Sequence, residues 1–84
     1  MSDEPHPWTV YMLRCADDTI YTGIARDAEK RVAVHNSGRG AKYTRARRPV
    51  AMIYCEAAED RSAASRREYA IKRLSRKGKL ALIG

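Results

Sequence analysis

The sequence predicts an α+β domain built around a short sheet, with the element order β-β-α-β-α. Three observations predict it: a hairpin pattern near the N-terminus, an apolar strand pattern in mid-chain, and two helical segments with capping residues. A chain of 84 residues is expected to form one domain. We expect that domain to span residues 8–84, after a flexible tail of residues 1–7 rich in polar side chains and proline.

The first two strands are expected to form a hairpin that carries one tyrosine on each arm. Residues 8–15 and 19–24 are rich in β-branched and aromatic side chains, and the segment ADD between them is typical of a turn. Side chains alternate along a strand, so the turn length decides whether Tyr11 and Tyr21 share a face. A three-residue turn pairs Tyr11 with Gly23 and places both tyrosines on one face, whereas a two-residue turn separates them. A shared tyrosine site therefore requires the longer turn.

Capping residues and apolar spacing predict the remaining elements. Asp27 is the expected N-cap of a helix that ends at Gly38. The segment VAMIYCE, residues 50–56, predicts a third strand, and its nearly continuous apolar run favours burial on both faces. A last long helix is expected to begin with Asp60 or Glu59 near its N-terminus and to end at a Gly78 cap. Its predicted apolar stripe consists of Ala63, Ala70, Ile71 and Leu74.

The net charge of +7 is unevenly distributed and indicates a polyanionic partner. Residues 1–25 hold one cation and four acids, a net of −3, whereas residues 26–84 hold sixteen cations and six acids, a net of +10. A basic surface of this kind attracts nucleic acid first, although solubility alone is the alternative. The sequence shows neither a membrane-spanning run nor a secretion pattern, and its two cysteines lack metal-site spacing. We therefore expect a cytoplasmic protein, within reach of the nucleoid, with no membrane partner.

The segment of residues 39–49 is predicted to be a basic loop around one aromatic residue. Its cations suit a nucleic-acid backbone, and Tyr43 can hydrogen-bond a phosphate or stack on a base. A disordered basic loop without a ligand is the alternative. The residues expected to bind nucleic acid, with one from the last helix, are Arg39, Lys42, Tyr43, Arg45, Arg47, Arg48 and Lys72.

Both helices carry candidate catalytic side chains. Arg31 and His35 lie four residues apart on one helical face, where a guanidinium can hold a phosphate and an imidazole can move a proton. A solvent-exposed pair without a role is the alternative. Glu68 is the only acid after Asp60, among eight cations, and helical geometry places it at the border of the apolar stripe. Its partner is either Lys72, four residues on, or a hard divalent cation such as Mg²⁺.

Taken in order, these residues resemble the GIY-YIG nuclease domain family, and the resemblance covers residues 8 to about 76. The family's first motif, Gly-Ile-Tyr, reads TVY at residues 9–11, and its second, Tyr-Ile-Gly, reads YTG at residues 21–23. The loop SGRGAKYTRARRP is similar to that of the short, stand-alone bacterial members. Thr9 stands at the position of the first motif glycine, and no asparagine follows Glu68.

The resemblance implies a three-stranded antiparallel sheet flanked by helices, and an endonuclease that hydrolyses phosphodiester bonds in DNA, with repair or recombination as its setting. It implies that one Mg²⁺ or Mn²⁺ ion is held by Glu68, since a two-metal site usually needs several carboxylates. A non-catalytic DNA- or RNA-binding module on the same fold is the main alternative, and a protein-interaction domain is the third. The expected oligomeric state is a monomer.

The resemblance also implies that Tyr11, Tyr21, Arg31, His35 and Glu68 meet in one catalytic site. Gly23 is then a structural motif residue that leaves room beside the first tyrosine. Tyr11 is the expected general base, because the positive charges of Arg31 and a bound metal would lower its pKa. His35 is the competing base, since its ordinary pKa suits neutral pH.

Overall fold

The fold is that of a computed structural model, which describes residues 8–84. The expected tail of residues 1–7 lies outside the described residues. The elements are β1 (Trp8–Arg14), β2 (Ile20–Ala25), α1 (Ala28–Asn36), α2 (Lys42–Arg45), β3 (Ala51–Ala58), α3 (Arg61–Lys72) and α4 (Arg76–Ala81). The strands form one antiparallel sheet in the order β2-β1-β3, which confirms the predicted fold class. Among these residues, no helix has the length and apolar content needed to cross a membrane.

The central strand β1 supplies the core on both faces of the sheet. Val10 and Met12 are 0% exposed and belong to the apolar cluster that α3 completes with Ala64 and Ile71. The alternate side chains of β1, which include Leu13, belong to a second cluster on the α1 face. The sheet therefore has one buried layer under each set of helices.

The prediction that the third strand is buried on both faces is wrong. The residues of β3 are half-buried or exposed along its whole length, and the strand lies at the edge of the sheet. An edge strand is paired on one side only, so its apolar composition does not by itself bury it. The strand that is fully enclosed is β1, because it has a neighbour on each side.

The hairpin turn has the length that a shared tyrosine site requires. Tyr11 pairs with Gly23, and the Cys15 N–H donates to the Thr19 carbonyl at 2.9 Å, so the turn consists of residues 16–18. Asp18 has φ 70°, in the left-handed region that aspartate tolerates better than most residues. The register therefore places Tyr11 and Tyr21 on the same face of the sheet.

The predicted helix starts are confirmed by their side-chain caps. Asp27 Oδ1 accepts a hydrogen bond from the Lys30 N–H at 3.1 Å, at the start of α1. Asp60 Oδ1 accepts one from the Ala63 N–H at 2.8 Å, at the start of α3. Just beyond α1, Gly38 has φ 87°, as its predicted role at the helix end requires.

Two short helices were not predicted, so the observed order is β-β-α-α-β-α-α. The expected loop of residues 39–49 contains α2, and the expected last helix is divided into α3 and α4. Gly78 is not a cap, because α3 ends at Lys72 and Gly78 lies inside α4. The division occurs at Ser75, whose hydroxyl accepts the Gly78 N–H at 3.1 Å and thereby begins a new helix.

The apolar stripe of α3 is narrower than predicted. Ile71 is 0% exposed and packs with the equally buried Ala64, but Ala70 and Leu74 are exposed. Arg67 also lies within this stripe, and its side chain reaches β3. There its Nε and Nη2 donate to the two Glu56 carboxylate oxygens at 2.8 and 3.2 Å. A charged pair therefore joins α3 to the edge strand within the apolar stripe.

Candidate active site

Three of the predicted catalytic side chains meet on the face of the sheet that α1 covers. Tyr11 Oη lies 3.0 Å from His35 Nε2. The Tyr21 ring centroid lies 5.2 Å from that of His35 and 6.5 Å from that of Tyr11. Tyr11 is 1% exposed and His35 is 0% exposed, whereas Tyr21 is half-buried. A ligand would therefore approach this cluster through Tyr21.

Gly23 provides the space that the Tyr11 hydroxyl occupies. A Cβ at this position would lie 2.7 Å from Tyr11 Oη, which is closer than side chains tolerate. The glycine faces Tyr11 directly in the β1–β2 pairing. Its presence in the second sequence motif is therefore explained by close packing against the first tyrosine.

Arg31 and Glu68 place opposite charges near the Tyr11 hydroxyl. Arg31 is exposed on α1, and its positive charge favours the ionised form of Tyr11, whereas the negative charge of Glu68 opposes it. Glu68 Oε2 also lies 3.2 Å from Lys72 Nζ, and the Glu68 side chain is 23% exposed. The ion pair considered from the sequence is thus present, and the only effect of Glu68 on the cluster that the structure shows is that of its charge on Tyr11.

Burial, reinforced by the neighbouring Tyr21, raises the pKa of Tyr11 to about 12, although Arg31 acts in the opposite direction. The expectation that Arg31 and a bound metal together lower this pKa stays a prediction, and in the protein alone removal from water outweighs one guanidinium. Burial and then Arg31 lower the pKa of His35 below its ordinary value. At neutral pH the site thus holds a neutral phenol beside a neutral imidazole.

The sequence did not identify Thr44, which holds the other side of the imidazole. Thr44 is 0% exposed, its Oγ1 lies 2.8 Å from His35 Nδ1, and its hydroxyl donates to the Ala41 carbonyl at 2.9 Å. The threonine proton is thus used, so Nδ1–H donates to Thr44 and Nε2 is left to accept the Tyr11 hydroxyl. The Ala41 N–H also points at Nδ1, but at 3.4 Å it is the weaker contact.

Gly40 is a second positioning residue that the sequence did not reveal. A Cβ there would overlap His35 Nδ1 and would lie 2.8 Å from His35 Cα. The segment before α2 therefore packs directly on the imidazole. No local pattern predicts such a contact, because it depends on how this segment folds back over α1.

Replacing Gly40 with alanine is expected to destabilise the protein by about 1–3 kcal/mol, as overpacking does, and to displace the imidazole. Urea unfolding would measure the loss, and the His35 side-chain NMR signals would report the displacement. Gly78→Ala is the matched control: its Cβ would lie 3.3 Å from Leu74 Cβ, inside a helix that favours alanine. Equal unfolding midpoints for the two variants would contradict the proposed packing role of Gly40.

The basic segment of residues 39–49 lies beside Tyr21, and one of its arginines already contacts other protein side chains. Tyr43 is 38% exposed, with its ring centroid 5.9 Å from that of Tyr21. Arg47 Nε lies 3.0 Å from Asp17 Oδ2, and the Arg47 guanidinium lies 4.0 Å from the Tyr43 ring centroid. Two of its three guanidinium nitrogens, Nε and Nη1, are already bonded to the protein. The exposed cations of the segment are Arg39, Lys42, Arg45 and Arg48.

The donor set at the site suits a cation held by a single protein carboxylate. Among residues 8–84, no three His, Cys, Asp or Glu side chains lie close enough together to hold a metal ion. Mg²⁺ keeps several waters and is often held by one or two carboxylates together with substrate phosphate. Glu68 fits that requirement, provided that Lys72, now 3.2 Å away, yields the carboxylate to the ion.

Comparisons with known proteins show the family to which the chain is similar. A family model described as the GIY-YIG catalytic domain matches residues 7–81. A UPF0213 protein of Desulfotalea psychrophila is 52% identical over 83 residues, covering 98% of this chain and 74% of its own. One from Staphylococcus saprophyticus is 51% identical over 74 residues, covering 88% and 90%.

Two solution NMR structures are also similar. That of the UPF0213 protein BH0048 from Bacillus halodurans has 42% identity and a TM-score of 0.58, covering 90% of this chain and 81% of its own. That of the protein EF2693 from E. faecalis has 39% identity and a TM-score of 0.59, covering 98% and 88%.

Proposed function

Because the chain belongs to the GIY-YIG family, whose domain is a nuclease type, we propose that it is a metal-dependent endonuclease that hydrolyses phosphodiester bonds in DNA. The observation that most supports the proposal is the buried contact between Tyr11 Oη and His35 Nε2 at 3.0 Å, with Tyr21 beside it. A hydroxyl and a neutral imidazole in direct contact can pass a proton between them. Arg31 and Glu68 supply the charges that act on this pair.

In the proposed mechanism Tyr11 relays a proton rather than holding a free phenolate. Tyr11 Oη takes a proton from the attacking water as its own proton passes to His35 Nε2. Nε2 has a free lone pair to receive it, because burial and Arg31 lower the pKa of His35 and keep the ring neutral at neutral pH. The contact from Nδ1 to Thr44 then fixes the orientation of the charged ring.

The groups on the open side of the cluster are proposed to hold the phosphate. The Tyr21 hydroxyl and the Arg31 guanidinium donate to its non-bridging oxygens, where charge develops. Glu68 would hold one Mg²⁺ or Mn²⁺ ion, which supplies Lewis-acid stabilisation of the charge on the phosphate and the leaving oxygen. Lys72, once released from Glu68, would be free to contact another phosphate of the DNA strand.

The proposal places the protein in the cytoplasm as a monomer that acts on DNA, in repair or recombination. The Glu68–Lys72 ion pair favours a second candidate, a DNA- or RNA-binding module without cleavage, because it occupies the carboxylate that a metal would need. Incubating a panel of labelled branched and linear DNA molecules with and without Mn²⁺ separates the two. Cleavage that requires Mn²⁺ supports the nuclease, whereas binding of the whole panel without cleavage supports the module.

The salt dependence of DNA binding is expected to separate Lys42 from Arg47. Each phosphate contact contributes a slope of about 0.9 in a plot of log affinity against log salt for duplex DNA. Lys42→Ala should flatten the plot by about that amount if Lys42 contacts a phosphate. Arg47→Ala should change it less, because Asp17 already neutralises that charge. Fluorescence anisotropy over a KCl series measures both slopes, and a larger change for Arg47 would contradict the assignment.

A further inference from the structure

A groove lies along the outer edge of the sheet, where α2, α3 and α4 converge on the edge strand β2. Its volume is about 450 Å³, within the range of roughly 300–1,000 Å³ typical of small-ligand sites. The residues that line it are Ile20, Tyr21, Thr22, Tyr43, Lys72 and Lys79. The groove therefore combines two lysines with two tyrosines and contains no acid.

The charge of the groove is suited to an anion. Lys79 is half-buried in α4, and within residues 8–84 no carboxylate lies at ion-pair distance from it. Lys72 is held by Glu68 at 3.2 Å, on the side nearer the proposed catalytic cluster. Arg47 covers one face of the Tyr43 ring at 4.0 Å, which favours phosphate binding over base stacking at this wall.

The groove is continuous with the proposed catalytic cluster. Tyr21 lines the groove, and its ring lies 5.2 Å from the His35 ring. Lys72 also lines the groove and contacts Glu68. A DNA strand with one phosphate between Tyr21 and Arg31 would thus place its next phosphate in this groove, along the edge of the sheet.

Thr22 contributes a buried hydroxyl behind the wall of the groove. Thr22 is 2% exposed, and its Oγ1 has no hydrogen-bond partner among the described residues. A buried hydroxyl without a partner is costly, so such groups are uncommon in folded proteins. The same burial closes Oγ1 to solvent, so Thr22 shapes the wall of the groove without offering a hydrogen bond to a ligand.

We propose that this groove binds the phosphate adjacent to the scissile one, with Lys79 and Lys72 as its cations. This inference rests on the proposed nuclease function and extends it to a substrate class. The substrate is then a polynucleotide strand that spans both positions, rather than the ester of a single nucleotide. Lys79 becomes a binding residue that lies beyond both sequence motifs.

Replacing Lys79 with alanine tests the groove, and Lys77→Ala, an exposed lysine of the same helix that does not line it, is the control. The probe is a fluorescein-labelled single-stranded oligothymidine, bound over a KCl series in EDTA. We expect Lys79→Ala to flatten the salt slope by about 0.7, the contribution of one phosphate contact on a single strand. Lys79→Gln should do the same, and thermal unfolding checks that all three variants fold.

If both Lys79 variants have the same salt slope as Lys77→Ala, the proposed phosphate site in the groove is wrong. It is also wrong if the wild-type protein does not bind the probe. The panel of branched and linear DNA with Mn²⁺ tests the nuclease separately. A slope change without any cleavage keeps the groove and contradicts the nuclease. Cleavage without a slope change contradicts the groove and keeps the nuclease.

Discussion

Replacing Glu68 with glutamine is expected to lower metal-dependent cleavage by about 10³-fold or more, which is about 4 kcal/mol of barrier, while DNA binding persists. Glutamine keeps the size of the side chain but removes the charge that would hold the ion. Binding should persist because Lys72 loses its partner and the surface becomes more positive. Gel assays measure cleavage, and Mn²⁺ electron paramagnetic resonance with a non-cleavable DNA measures the ion separately.

Glu59→Gln is the matched control, because Glu59 is an exposed acid just before α3. That variant should cleave at the wild-type rate and bind Mn²⁺ equally well. If Glu68→Gln also retains full cleavage, the assignment of the ion to Glu68 is wrong. Loss of cleavage with unchanged Mn²⁺ binding would show that a residue other than Glu68 holds the ion.

Replacing Tyr11 with phenylalanine is expected to lower turnover by about 10²–10⁴-fold, the usual contribution of a positioned proton-transfer group. The substitution removes only the hydroxyl that contacts His35 Nε2. It also leaves a buried ring nitrogen without its partner, which should cost about 1–3 kcal/mol of unfolding free energy. Cleavage assays and urea unfolding measure the two effects on the same sample.

Tyr54→Phe is the control for the loss of a bonded hydroxyl. Tyr54 lies on β3 and donates to Glu56, outside the catalytic cluster. This variant should lose stability without losing turnover. A Tyr11→Phe protein that cleaves at a near wild-type rate would rule out the relay through His35.

The features that were predicted correctly depend on near neighbours in the chain. The caps at Asp27 and Asp60 bond backbone groups three residues away. The shared face of Tyr11 and Tyr21 follows from a turn of three residues and the alternation of side chains along strands. Local chemistry of this kind can be read directly from the order of residues.

The features that were missed depend on contacts between distant segments. Burial of Tyr11 raises its pKa, and that burial is produced by the helices that pack over β1. Gly40 and Thr44 matter because α2 and the segment before it fold back over His35. Lys79 joins the groove through the separate helix α4, which begins where Ser75 caps it. No spacing rule encodes these approaches, since they are settled by tertiary packing.

The central position of β1 has a consequence for synthesis of the chain. The strand β1 emerges from the ribosome before β2, β3 and α3, yet its residues 10–13 are at most 1% exposed in the folded protein. At roughly 5–20 residues per second, the ribosome takes roughly 2–7 s to travel from the end of β1 to the start of β3. During that interval β1 can pair only with β2 and pack only against α1, so its other edge and the face that α3 covers stay exposed. Translation that stalls before β3 would therefore release a fragment with an open, strongly apolar edge, prone to aggregation.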